Sequence, residues 1–182
     1  NRGILDWKES NFSLNKALST VGSATNRATE REIAAAAVTV VKNENNTLPL
    51  VVKEKQKILM LCPYDNERAQ MIMGYNRAKE AGLIPDSAEV KVVRYNGSNM
   101  DAVKENIDWA DTVFVNSEIS TASRFSSNHW LYSNVEDIVD YTHEKGKKSI
   151  VMSVDKPYDV QMYANADAIL AVYGCKGSSV DV

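Results

Sequence analysis

Short apolar runs alternate with helix-length segments along most of this chain, and that alternation limits what it can fold into. The runs are Ile58 to Cys62, Val90 to Val93, Thr112 to Val115, Ser149 to Val154 and Ala168 to Val172. The first is continuously apolar, as expected of a strand covered on both faces. Between the runs the period changes to that of a helix. Residues 68–81 put Met71, Ile72 and Tyr75 on one side, residues 101–109 are helical, and residues 135–145 form a third helix. Gly82 and Gly146 stand where helix C-caps belong. A short helix is expected over 158–163. Strands alternating with helices give a mostly parallel sheet with right-handed crossovers.

The fold class is therefore an α/β three-layer sandwich, Rossmann-like in outline. A linker and a helix precede it. Residues 1–24 carry little pattern, and Gly22 and Ser23 mark them as a linker. Thr29 and Glu32 fit a capping box, from which an Ala-rich helix, able to approach a neighbour closely, is expected to run to about Lys42. Pro49 then forces an extended entry.

At 182 residues, 44% hydrophobic, the chain can bury one substantial core. Its net charge of -3 has both signs interspersed, so no nucleic-acid partner is expected. No apolar run reaches the ~20 residues that span a bilayer. No signal-peptide pattern opens the chain. It begins on Asn1 and stops soon after Gly177-Ser178-Ser179, so both ends are expected to be cuts in a longer polypeptide. Cys62 and Cys175 match no zinc spacing, and neither a metal nor another cofactor is expected.

In parallel sheets ligands bind beyond the carboxyl ends of the strands. Nothing glycine-rich follows the first apolar run, which excludes a dinucleotide fingerprint. Gly174-Cys175-Lys176-Gly177 has the wrong spacing for a phosphate loop. His143 lies in a charged helical run and is expected at the surface. The loop from Ser117 to Tyr132 is longer than most connections, and such loops are often functional. It carries Arg124, Asn128, His129 and Trp130, the candidate ligand-contacting residues. Trp130 can stack on the apolar face of a ring, and Arg124 or Asn128 can hydrogen-bond hydroxyls. Glu118, Asp155 and Asp65 each stand at a strand end, but no motif fixes two of them as the carboxylate pair of a glycosidase.

Two strings carry more specific information. Ala36-Ala37-Val38-Thr39-Val40-Val41-Lys42-Asn43-Glu44-Asn45-Asn46-Thr47-Leu48-Pro49-Leu50 resembles the junction "A-x-S-x-x-L-L-K-N-x-x-x-x-L-P-L" of glycoside hydrolase family 3. Ala166-Asp167-Ala168-Ile169-Leu170 resembles the "A-D-A-I-L" strand of the same family. The resemblance runs from about Ile4 onward. It implies that residues 1–24 link to an upstream (β/α)8 barrel bearing the nucleophilic Asp, and that 25–182 form the second, C-terminal domain, cut short at its end. In the β-glucosidase branch this domain supplies an acid/base Glu within "E-x-E-G-x-D-R". The matching stretch, Asn116 to Phe125, has Glu118 too near the strand and lacks the Asp-Arg pair. The departure is closer to the β-N-acetylglucosaminidase branch, whose acid/base His-Asp pair lies on a barrel loop. The resemblance thus implies an ancillary domain without catalytic residues of its own, with the barrel and a carbohydrate substrate as partners. The alternatives are a β-glucosidase domain using Glu118 and a non-enzymatic sugar-binding module.

Overall fold

A computed structural model describes residues 13–126 and 128–174. It contains the strands β1 (Thr39–Asn43), β2 (Lys57–Cys62), β3 (Glu89–Arg94), β4 (Thr112–Ser117), β5 (Lys148–Ser153) and β6 (Ala168–Ala171). Its helices are α1 (Leu14–Thr20), α2 (Ala24–Ala37), α3 (Asp65–Glu80), α4 (Met100–Trp109) and α5 (Trp130–Glu144). The strands form one sheet in the order β1-β6-β5-β4-β2-β3, all parallel except β1, which runs antiparallel to β6. This is the expected α/β sandwich.

Side chains alternate across a strand, so each strand feeds two layers. Leu59, Leu61, Val113, Val115, Val151 and Ile169 face one side and pack with Val103 and Ile107 of α4 and Val135, Ile138 and Val139 of α5. Helix α3 lies on the other side, over β2 and β3. The outer edge, β3, exposes Glu89, Lys91 and Arg94, charges that discourage edge-to-edge pairing. Gly82 and Gly146 take φ of +72° and +65° as helix caps, as their positions predict.

Several expectations are corrected. The Ala-rich helix ends at Ala37, not near Lys42, because Val38 to Val41 are all β-branched, and Thr39, Val40, Lys42 and Asn43 pair with β6 instead. It begins at Ala24, where the Ser23 hydroxyl accepts the Asn26 N–H at 3.3 Å. Part of the presumed linker is helical, since Ser13 caps α1. Residues 158–163 are turns, not a helix. Helix α5 starts at Trp130, five residues earlier than its periodicity suggests, and shortens the long loop accordingly.

The junction after β1 has a physical role. Asn45 and Asn46 both take φ near +50°, a conformation Asn tolerates. The Asn43 side chain brackets that turn, accepting the Leu48 N–H and donating to the Leu48 carbonyl, each at 2.9 Å. The Leu48–Pro49 peptide is cis. Asn43→Ala removes both bonds and is expected to lower stability by about 1–2 kcal/mol, measurable by urea unfolding.

Candidate functional site

The carboxyl ends of β2, β3, β4 and β5 share one edge of the sheet, and the segments leaving them carry most of the buried polar groups. Asn116 closes one network. Its side-chain amide donates to Glu67 at 2.9 Å, while its carbonyl accepts the Tyr95 hydroxyl at 2.7 Å. Glu67, in the first turn of α3, is fully buried. Burial, with lesser contributions from Tyr163 and Glu67, pushes the Tyr95 phenol well above its ordinary pKa.

A second network surrounds Asp159, which is 0% exposed. Its carboxylate accepts the hydroxyls of Ser117, of Ser153 at 2.5 Å and of Tyr163 at 2.9 Å. The Ser117 and Tyr163 hydroxyl oxygens also lie 2.8 Å apart, so either proton can turn from the carboxylate to the other hydroxyl. Burial, followed by the Asp159 charge, pushes the Tyr163 phenol upward as well. The signal for this network is present in the sequence. Ser117 and Ser153 end buried strands, and a buried hydroxyl needs a partner. Read as part of a helix, Asp159 is easily overlooked.

The sign of the pH effect follows from the two tyrosines. Their phenols hold the proton in the folded state, whereas the unfolded chain releases it near pH 10. Above that pH the folded state binds more protons than the unfolded state, so stability falls as pH rises. Alkaline titration should show Tyr95 and Tyr163 ionising only with unfolding; smooth ionisation of every tyrosine in a folded domain would contradict this.

Glu118 follows β4 and is 1% exposed. Its carboxylate lies 3.7 Å from the Arg124 guanidinium, which is one third exposed. Arg124 belongs to a single 3-10 turn, Ala122–Arg124, that folds the loop back over Glu118. Arg124→Ala takes the guanidinium from a buried carboxylate and should cost about 2–4 kcal/mol. Glu118→Ala should cost less, because the guanidinium is one third exposed and can hydrate at its open side, although the nitrogen facing Glu118 is buried; the two variants are compared by urea unfolding.

The remaining candidate residues separate by role. His129 caps α5, its Nδ1 accepting the Leu131 N–H at 3.3 Å, and stacks on Trp130 with centroids 6.0 Å apart. Trp130 is half-buried and meets Tyr64 and Tyr95 edge-on at 6.4 and 6.3 Å. Asn128 is exposed. Phe125 and Tyr158 leave aromatic surface open at the same end of the sheet, 37% and 65% exposed. This edge can therefore offer hydrogen bonds and apolar faces to a neutral, hydroxyl-rich molecule. Asp65 is held by Arg94 at 3.3 Å and Arg68 at 3.6 Å, while Asp155 takes a φ of +71° just after β5. His143 is exposed, as expected. Among the described residues, no group of three or more His, Cys, Asp or Glu could hold a metal ion, and no helix is long and apolar enough to cross a membrane. Cys62 is buried, and Cys175 lies outside the described residues.

Against solved structures the fold is not isolated. A fungal multi-domain glycoside hydrolase family 3 β-N-acetylglucosaminidase matches with a TM-score of 0.64 and 22% identity over 90% of this chain and 18% of its own. The fold is shared with a part of these glycosidases. A β-glucosidase from Listeria innocua, in complex with gluconolactone, matches with a TM-score of 0.60 and 16% identity over 88% of this chain and 24% of its own. One from Erythrobacter marinus matches with a TM-score of 0.64 and 15% identity over 91% and 28%. The chain thus spans about a quarter of the length of the β-glucosidases. No family model matches the sequence, and no curated protein does.

Proposed function

We propose that the chain is the second, ancillary domain of a retaining exo-β-N-acetylhexosaminidase that removes terminal β-N-acetylglucosaminides. Residues 1–24 lead from a (β/α)8 barrel that carries the nucleophilic Asp and forms the covalent glycosyl-enzyme. Residues 25–182 brace that barrel and contribute the loop of Arg124, Asn128, His129 and Trp130 to one wall of the sugar site. The observation that carries this reading is the burial of Glu118 against Arg124. A leaving-group acid must touch the glycosidic oxygen, and this carboxylate serves the fold of its own loop. The shared fold with a β-N-acetylglucosaminidase and the two sequence strings add to it.

A β-glucosidase reading has in its favour the structural match to two β-glucosidases, one of them with the same TM-score of 0.64. Hydrolysis of aryl N-acetyl-β-glucosaminide and aryl β-glucoside by the parent polypeptide separates the two. The proposal expects the first substrate to be preferred by kcat/KM, and preference for the second would overturn it.

Asn128 tests the sugar contact cleanly because it is exposed and carries no part of the core. In the parent, Asn128→Ala is expected to raise KM about three- to tenfold, the loss of one or two hydrogen bonds, with Tm unchanged. An unaltered KM would place this loop outside the sugar site.

A further inference from the structure

The turn that joins β3 to α4 holds the one Asn-Gly pair of the sequence, Asn96-Gly97. Every other asparagine is followed by a residue with a side chain. Three hydrogen bonds fix the frame of this turn. The Asn99 N–H donates to the Asn96 carbonyl at 3.3 Å, and the Asn96 N–H donates to the Asn99 side-chain oxygen at 2.7 Å. The Asn99 side-chain amide then ties the turn back to the Arg94 carbonyl at 2.8 Å.

Within that frame the Asn96 side-chain carbonyl meets two donors at once. Its Oδ1 accepts the Ser98 N–H at 2.8 Å and the Ser98 hydroxyl at 2.7 Å. Such bonds serve to hold a turn. They also draw electron density from Cγ, the carbon of that amide. Two donors aimed at one carbonyl oxygen are what stabilises the oxyanion that forms when a nucleophile adds to the carbon.

A nucleophile is close at hand. The backbone nitrogen of Gly97 is the one that closes a five-membered ring with Cγ of Asn96. Its N–H donates no hydrogen bond among the described residues, and neither does the Asn96 side-chain nitrogen. Gly97 is exposed, and no Cβ shields its nitrogen. A Cβ placed there would meet the Trp130 Cβ at 3.8 Å, an ordinary contact, and the glycine has no positive φ.

We propose that Asn96 is a site of spontaneous deamidation, with Ser98 acting as the oxyanion hole. The Gly97 nitrogen gives its proton to hydroxide and forms a bond to Cγ of Asn96. The negative charge rests on Oδ1, between the two Ser98 donors. The Cγ–Nδ2 bond then breaks, and the side-chain nitrogen takes a proton from water and leaves as ammonia. That step closes a succinimide and returns the hydroxide. Water opens the ring at either carbonyl, to aspartate or to isoaspartate. Nothing is oxidised or reduced. Either product places a new carboxylate in the turn beside Trp130, and isoaspartate also inserts one methylene into the backbone between β3 and α4. The carboxyl edge of the sheet thus carries a slow, irreversible change of charge.

Peptide mapping of the parent polypeptide, aged at mildly alkaline pH, tests this through the mass gained when the side-chain NH2 becomes OH. The rate at Asn96 is compared with that of a free peptide of residues 93–101. The folded protein is expected to convert at least as fast as the peptide; a slower rate would show that the turn protects the amide and would overturn the proposal. Ser98→Ala is expected to slow conversion in the folded protein about five- to tenfold, the effect of one lost hydrogen bond to the developing charge. The same substitution should change the peptide by less than about twofold, because the free chain does not hold Ser98 over the amide. An unchanged rate in the folded variant would remove the role of Ser98 and overturn the proposal. Gly97→Ala is expected to slow both protein and peptide by about tenfold or more, since a Cβ crowds the attacking nitrogen. Equal rates there would mean direct hydrolysis by water, and would contradict the ring closure. Circular dichroism of each variant confirms that the rates belong to the folded state.

Discussion

Replacing Asp159 with alanine is expected to remove about 3–5 kcal/mol from the stability of the domain. The carboxylate is fully buried and accepts the hydroxyls of Ser117, Ser153 and Tyr163. Hydrogen bonds to a charged group contribute ~1.5–3 kcal/mol each, but three to one carboxylate do not add. Part of the loss is offset because the Ser117 and Tyr163 hydroxyls, 2.8 Å apart, can pair with each other once the carboxylate is gone. Against a typical stability of ~5–15 kcal/mol, the change leaves the domain marginal. Asp159→Asn keeps the shape and one acceptor oxygen and should cost about half as much. Urea unfolding measures both variants, and a loss below about 1 kcal/mol for alanine would show that the network contributes little.

Trp130→Ala is the second large effect, expected at about 3 kcal/mol. That is the low end for an aromatic truncation, since the ring is half-buried. The ring ties together segments that leave three different strands: Tyr64 after β2, Tyr95 after β3 and the start of α5. Trp130→Phe keeps most of the apolar contact and should cost about 1 kcal/mol. Loss of kcat by the alanine variant of the parent should therefore follow loss of folding, recovering at temperatures where the domain is intact. A rise in KM that persists in the folded variant is the part expected from the missing wall of the sugar site.

Much of this architecture was legible because it rests on local signals. The apolar run at β2, the change of period into α3 and the glycines after α3 and α5 each state one element by themselves. The antiparallel strand β1 was not legible, because its formation depends on β6, more than a hundred residues away. Alanines before Val38 propagate a helix, and only the tertiary partner decides that Val38 to Val41 leave it. The turn at Asn43 to Leu48 shows how a string with no apparent local purpose acquires one from a side chain that closes a loop. The candidate loop divides in the same way. Its composition pointed to sugar contact for Arg124, His129 and Trp130. The structure also gives those three positions work within the fold, as ion pair, helix cap and aromatic pin. Asn128 is the residue whose side chain has no such second task. The Asp159 network was missed because its members are scattered over Ser117, Ser153, Asp159 and Tyr163, and no single window of sequence contains them.

The division of labour between the domains is tested most directly by Glu118→Gln in the parent polypeptide. Turnover of an aryl N-acetyl-β-glucosaminide is compared between an activated and a poor leaving group. If the chemistry lies on the barrel and this domain braces it, kcat stays within about threefold of the unaltered enzyme and the ratio between the two substrates does not move. A fall of about 10²–10⁴-fold on the poor leaving group, with the activated substrate spared, would make Glu118 the proton donor and contradict the account.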